Sequence, residues 1–259
     1  MSTSLQRPGR VAGKVALITG GARGQGANHA RILAQEGAQV LIGDVLDGEG
    51  KRVAETLAKQ GLPVRYCHLD VTQPGDWDKA VRQAEEAFGR LDVLINNAGI
   101  FPAASLLDCS IEEWQRVVDV NQTGPFIGIQ RAVPAMHRTG AGSIINIISV
   151  AGSLATEIAV AYAVSKAALL MLTRAAAVTL APAIRVNSIT PGIIDTDMMR
   201  QLDPERLKAR LEQYPMRRAG TVDEVSNAVV FLASDESSFT TGADLRVDGG
   251  VLAGVKQSR

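Results

Sequence analysis

From near its start to its end, the chain alternates short, solidly apolar runs with longer segments whose apolar positions recur at helical spacing. Runs of strand length fall at 15–19, 39–44, 64–70, 93–97, 143–149, 185–189 and 244–247. Between them the pattern predicts helices over 24–36, 49–60, 77–88, 111–137, 159–180 and 223–233. Strands separated by helices of this length imply right-handed βαβ units and a parallel sheet. Strand runs that are apolar at every position fit a sheet covered on both faces. No Pro/Gly/Ser-rich linker or block of like charge divides the series. The expected fold class is α/β. It would be a single doubly wound, Rossmann-type domain over 13–259, with a parallel sheet of about seven strands and helices on both faces. Residues 1–12, polar and interrupted by Pro8 and Gly9, read as a flexible tail. Only 191–220 breaks the rhythm, and its length predicts a substrate lid over about 192–218.

Composition narrows the function classes. Lys plus Arg and Asp plus Glu number 27 each, so no overall field favours nucleic acid or an anionic membrane. The apolar stretches read as too short or too interrupted to span a bilayer, and the start lacks the apolar core of a signal peptide. His29, His68 and His137 show no metal-ligand spacing. Cys67 and Cys109 read as free thiols of a reducing compartment. The expected setting is cytoplasmic, with no nucleic-acid, membrane or metal partner.

The first chemical signal is Thr19-Gly20-Gly21-Ala22-Arg23-Gly24-Gln25-Gly26, which follows the first strand and opens the first helix. Glycines let the backbone turn sharply and approach a pyrophosphate, and the helix N-terminus supplies N–H donors and positive potential. Asp44 ends the second strand, 18 residues after Gly26, where an acidic side chain accepts from adenosine ribose hydroxyls. Its charge would repel a 2′-phosphate. Two like charges about 4 Å apart at an effective dielectric of about 20 cost on the order of 4 kcal/mol. Arg23 could attract that phosphate, but no cation follows Asp44 before Lys51. The balance points to NAD.

The second signal is Tyr162 and Lys166, four apart on one helix face, with Ser149 at the end of the preceding strand. A phenol of pKa near 10 is a poor base at neutral pH, and a nearby ammonium favours its ionised form. Ser149 could then orient a substrate oxygen beside the phenol. Spacing alone leaves a blander alternative open: Tyr–Lys pairs also occur on solvated helix faces, and strand-end serines often cap turns.

Taken together, Thr19-Gly20-x-x-x-Gly24-x-Gly26, Asn96-Asn97-Ala98-Gly99, Ser149, Tyr162-x-x-x-Lys166 and Pro191-Gly192 with Thr196 resemble the short-chain dehydrogenase/reductase family. The likeness runs from about Val11 to Gly254. It implies hydride transfer between NAD(H) and a secondary alcohol or ketone, with Asn121, Ser149, Tyr162 and Lys166 catalytic. Cofactor contacts are implied at Gly20, Arg23, Gln25, Gly26 and Asp44, with Asp70 and Val71 at the adenine. Asn97, Ala98 and Gly99 would line the cleft, joined by Tyr162, Lys166, Pro191 and Gly192. Ile194 and Thr196 would hold the carboxamide. Asn121 would bend its helix and hold a water that relays protons to Lys166. The family also implies a homotetramer built on the helices over 111–137 and 159–180. Three departures stand out: Gln25 replaces a usual aliphatic residue, Ile148 a frequent serine, and the join over 180–185 is one residue short.

Within the family the wording resembles NAD-linked 3α,20β-hydroxysteroid dehydrogenases, notably at His68-Leu69-Asp70-Val71-Thr72 and Glu113-Trp114-Gln115-Arg116. Apolar lid residues Ile193, Ile194, Met198, Met199, Leu202, Leu207 and Leu211, with Val150, Leu154, Ile158 and Val160, suit a hydrophobic alcohol or ketone. Packing against the body or a neighbouring subunit explains them equally well. The cations Arg200, Arg206, Lys208, Arg210, Arg217 and Arg218 keep an NADP-linked 3-oxoacyl-[acyl-carrier-protein] reductase in view, although Asp44 disfavours it. A non-catalytic dinucleotide sensor is the third alternative, disfavoured by the intact Ser149, Tyr162 and Lys166.

Overall fold

A computed structural model describes residues 9–196 and 204–254, without the side chain of Arg206. Seven strands, β1 (Val15–Thr19), β2 (Gln39–Asp44), β3 (Val64–His68), β4 (Val93–Asn96), β5 (Gly142–Ile147), β6 (Ile184–Pro191) and β7 (Asp244–Val247), form one sheet in the order β3-β2-β1-β4-β5-β6-β7. Every neighbouring pair is parallel. Strand addition reverses direction between β1 and β4, and a crevice opens beyond the carboxyl ends of such a pair.

The described helices are α1 (Gly24–Gln35), α2 (Asp47–Lys59), α3 (Pro74–Phe88), α4 (Ile111–Val118), α5 (Gly124–Thr139), α6 (Val160–Leu180), α7 (Pro204–Glu212) and α8 (Val222–Ala233). Successive residues of a strand face opposite sides of the sheet, and here both sides are dry. Ile18 joins Leu33 of α1 and Val229 of α8 in one apolar cluster, whereas Leu17 joins Trp77 of α3 and Met136 of α5 in another. That two-sided burial is why the strand runs are apolar throughout.

Three expectations change. The segment 111–137 is not one helix, because a π turn at Asp119–Thr123 separates α4 from α5. Residues 9–12 do not form a loose tail: Val11 is 1% exposed and its N–H donates to the Glu36 carbonyl at 3.1 Å. Arg10 also pairs with Glu236 at 2.6 Å, and residues 1–8 lie outside the described residues. Finally, α6 is long and apolar enough to cross a membrane by length and composition, at mean hydropathy 1.4 over 21 residues. It buries Ala161, Ser165, Lys166, Leu169, Thr173, Ala176 and Ala177, a face with three polar side chains that suits packing inside a protein.

The excursion after β6 closes on itself at its base. The N–H of Asp195 donates to the Gly220 carbonyl at 2.9 Å, and the N–H of Gly220 donates to the Ile193 carbonyl at 2.9 Å. Met198, Met199, Arg200 and Leu202 of the expected lid lie outside the described residues.

Candidate active site

The turn from β1 into α1 is held from below by β4. Thr19 Oγ1 accepts from the N–H groups of Asn97 at 3.1 Å and Ala98 at 3.0 Å. Asn97 Nδ2 donates to the carbonyls of Thr19 at 2.9 Å and Gly20 at 3.1 Å. Gly20 and Gly24 take φ of +66° and +54°, the left-handed region that a side chain disfavours. A Cβ on Gly26 would stand 2.1 Å from the Gly20 carbonyl oxygen. The glycines are therefore needed for the turn and for its close approach to the helix.

In front of this turn lies a cleft of about 620 Å³. Gly20, Arg23, Gln25 and Asp44 line it, as do Asp70, Val71, Asn97, Ala98, Gly99 and Thr196. Gly26, Tyr162, Lys166, Pro191, Gly192 and Ile194 do not. Asp44 Oδ2 accepts from the N–H of Ala22 and Oδ1 from that of Leu46, both at 3.0 Å. A carboxylate has about four acceptor positions, so each oxygen keeps capacity for a ligand hydroxyl. Asp70 Oδ1 accepts from the N–H and hydroxyl of Thr72, at 2.9 and 2.8 Å, which shapes the turn after β3.

A dinucleotide fits these residues on three counts. The turn approaches as only glycines allow, the cleft ends on a side chain with spare acceptor sites, and Gln25 Oε1 is buried there with no donor among the described residues. When bound, a nicotinamide dinucleotide supplies or accepts a hydride and, in its oxidised form, adds a positive charge.

The catalytic candidates meet beyond Gly99. A Cβ there would be 3.3 Å from Asn121 Oδ1 and 3.4 Å from Lys166 Nζ, so Gly99, which lines the cleft, also borders these two side chains. Lys166 Nζ donates to the Ile147 carbonyl at 2.9 Å and lies 5.6 Å from the centre of the Tyr162 ring. Ser149 begins a 3₁₀ turn (Val150–Gly152), its hydroxyl accepting from the N–H of Ala151 at 3.2 Å. The same hydroxyl faces the Tyr162 phenol. Asn121, wholly buried in the π turn, accepts from the N–H of Ile100 at 2.9 Å and donates to the Ile100 carbonyl at 3.0 Å and Ser165 Oγ at 3.1 Å. Its side chain thus pins the loop after β4 to α6.

Electrostatics here depart from the sequence reading. Burial pushes the Tyr162 phenol above its usual value, outweighing the opposing hydrogen bond to Ser149. Burial pulls the Lys166 ammonium down to about 8. Desolvation dominates at this separation because it disfavours charge on either group.

Another correction concerns Ile194, whose side chain is 4% exposed and packs in the core. It adds nothing apolar to a pocket mouth, whereas Leu154 and Ile158 are open to solvent at 46% and 41%. Two neighbours escaped the sequence reading. Phe101 meets Tyr162 edge to face at 4.8 Å between ring centres. The Tyr214 hydroxyl accepts from the N–H of Ile193 at 3.2 Å, bracing the start of the excursion. Both contacts join segments far apart in the chain, and no local pattern announces them.

Comparison with known proteins agrees with this geometry. A family model described as enoyl-(acyl carrier protein) reductase matches residues 20–252. A 3-alpha-(or 20-beta)-hydroxysteroid dehydrogenase of Mycobacterium tuberculosis is 50% identical over 248 residues, covering 95% of this chain and 92% of that protein. A trans-4-hydroxycyclohexanecarboxylate dehydrogenase of Sinomonas cyclohexanicum is 47% identical, covering 95% of each chain. A cyclopentanol dehydrogenase of Comamonas testosteroni is 42% identical over 95% of this chain and 99% of its own length. Among solved structures, a chain described as a short-chain dehydrogenase/reductase from Burkholderia xenovorans superposes with TM-score 0.89 at 33% identity, covering 96% of this chain and all of that one.

The chain belongs to the short-chain dehydrogenase/reductase family. It is an oxidoreductase of the class that acts on CH–OH groups, in a family whose members generally depend on NAD or NADP.

Proposed function

We propose that this chain is an NAD-dependent dehydrogenase that interconverts a secondary alcohol and a ketone, with a hydrophobic cyclic or steroid-like compound as substrate. The observation that carries the reading is the convergence of Ser149, Tyr162 and Lys166 at the end of a dinucleotide cleft whose far end carries Asp44. In ketone reduction Tyr162 is the proton donor to the developing alkoxide, and Ser149 orients the substrate oxygen beside it. Lys166 supplies the cation that stabilises the phenolate left behind. In alcohol oxidation the same groups run in reverse, and the positive charge of the oxidised cofactor adds to that of Lys166 in favouring phenolate. Lowering the phenol by about 3 pKa units takes roughly 4 kcal/mol at 1.36 kcal/mol per unit. Asn121 Oδ1 and Lys166 Nζ both lie beside Gly99, and a water held by Asn121 would relay protons to Lys166.

NAD is favoured by Asp44, whose side chain is held at the cleft by two backbone N–H donors. Arg218, one of the cations that kept an acyl-carrier reading open, is paired with Glu224 at 2.6 Å. A cyclic substrate is supported by the names of the relatives, which act on hydroxysteroids, a cyclohexane acid and cyclopentanol. Exposed apolar groups on α4, α5 and α6, among them Ile111, Phe126, Met171 and Val178, support a homotetramer built on those helices. Sedimentation of the purified chain tests it, and a monomer at micromolar concentration would refute it.

The functional test is turnover of NADH and NADPH against a panel of steroid ketones, cyclohexanones, cyclopentanone and a 3-oxoacyl thioester. Reduction of cyclic ketones with NADH is expected. NADPH-linked reduction confined to the thioester would establish the acyl reductase instead. Cofactor binding without any turnover would make the chain a sensor.

A further inference from the structure

Several polar side chains beside the cleft take no part in the proposed chemistry, and they are linked to one another. The Tyr66 hydroxyl, on edge strand β3, lies 2.7 Å from the Asp44 carbonyl oxygen and 2.5 Å from Asp47 Oδ1. His68, two residues on and so on the same face of β3, places Nδ1 2.9 Å from that same Asp47 oxygen. Its Nε2 lies 3.7 Å from Asp76 Oδ2, and Asp76 Oδ2 accepts from the N–H of Asp70 at 3.4 Å. Lys79 pairs with the other oxygen of Asp76 at 2.9 Å. The chain of contacts thus runs from the backbone of Asp44 to the backbone of Asp70, the two turns that border the adenosine end of the cleft.

The geometry gives the tyrosine a particular place. A Cβ on Gly50 would stand 2.2 Å from Tyr66 Cε2, so the ring is pressed against the first turn of α2. Its single hydroxyl proton serves two acceptors, one on the residue that faces the ribose and one on the residue that opens α2. Val45 and Leu46, between those acceptors, line the cleft. Position along this turn decides where the Asp44 carboxylate stands, because Oδ1 is tied to the N–H of Leu46.

We propose that Tyr66, with Asp47 and His68, is a positioning cluster that fixes the turn after β2 and so sets Asp44 for the adenosine ribose. None of the three touches the reacting atoms. The proposal rests on the reading of Asp44 as the ribose-binding carboxylate of an NAD enzyme. It adds that specificity for the unphosphorylated ribose depends on a tyrosine hydroxyl behind the cleft wall.

Tyr66→Phe removes that hydroxyl and leaves the ring against Gly50. Binding of ADP-ribose, which keeps the adenosine, both phosphates and the second ribose but lacks the nicotinamide, is measured by calorimetry, and kcat is measured at saturating NADH. The loss of one shared hydrogen bond is expected to raise the Kd of ADP-ribose and the KM of NADH together, by about 3- to 10-fold, with kcat unchanged. His68→Ala should move both in the same direction, and His68→Asn, whose amide nitrogen can donate from the place of Nδ1, should restore them. Wild-type ADP-ribose affinity in a folded Tyr66→Phe chain would overturn the proposal, as would a fall in kcat with Kd unchanged. Should Tyr66→Phe not fold, His68→Ala at its half-exposed position decides, and unchanged ADP-ribose affinity there overturns it. Failure of the NAD reading shows separately, in the wild-type chain, as tighter binding of 2′-phospho-ADP-ribose than of ADP-ribose.

Discussion

His29 makes the stability of the cofactor-binding helix depend on pH, and the size of the effect follows from its surroundings. It lies on α1, is wholly buried, and packs against α8. Ser226 Oγ gives its proton to the Val222 carbonyl at 2.9 Å, so the His29 Nδ1–H must be the donor in the 2.8 Å contact with Ser226 Oγ. Nε2 is then left in the core with no partner among the described residues, and a proton placed there would find no acceptor among them. Burial accordingly drops the imidazole from 6.5 to about 3. A histidine whose folded value is lowered stays neutral in the folded chain while the unfolded chain takes up a proton. Stability is therefore complete above about pH 6.5 and is lost progressively as pH falls below it. Between pH 7.5 and 5.0 that linkage removes about 2 kcal/mol. His29→Asn keeps an N–H for Ser226 but cannot titrate. Urea unfolding at the two pH values, at fixed protein concentration, should show wild type losing about 2 kcal/mol more than the variant between them. Equal losses in the two proteins would refute the reasoning, whatever the variant's absolute stability.

Two other substitutions test the cofactor end. Gly26→Ala sets a methyl 2.1 Å from the Gly20 carbonyl oxygen. Overpacking costs typically about 1–3 kcal/mol, so NADH affinity measured by fluorescence should fall by about 5- to 150-fold, and unchanged affinity would contradict the tight turn. Asp44→Ala removes both the ribose acceptor and the charge that repels a 2′-phosphate. Its ratio of kcat/KM for NADH over NADPH should drop by about 10-fold or more, given a repulsion on the order of 4 kcal/mol at close range. An unchanged ratio would mean that another residue selects the cofactor.

What could be read from the sequence, and what could not, divides along the range of the interactions involved. The glycine turn, the strand-end Asp44 and the pair Tyr162 and Lys166 depend on backbone freedom and helical spacing, which residue identity and position encode directly. The π turn at Asp119–Thr123 does not. No glycine or proline precedes it and the apolar periodicity continues across it, so only the family resemblance, which implies a bend at Asn121, points to it. It is accompanied by the bonds of Asn121 to Ile100, which come from another part of the chain. The packing of Val11 against the end of α1 was hidden for the same reason. The burial of Tyr162, which raises its phenol against the lowering hydrogen bond to Ser149, is likewise set by packing that spacing along the chain does not show. Ile194 looked like part of a pocket mouth, yet the pairing of its segment with Gly220 turns the side chain into the core.

The central claim is that Tyr162 carries the proton and that Lys166 and the cofactor make it able to do so. Tyr162→Phe removes one oxygen at a site edge-packed by Phe101 and leaves the cleft itself untouched. The decisive measurement is kcat for ketone reduction by this variant at saturating NADH, alongside its NADH Kd. The account predicts unchanged NADH binding and a kcat at least about 10²-fold below wild type. Near-native turnover in Tyr162→Phe would contradict it.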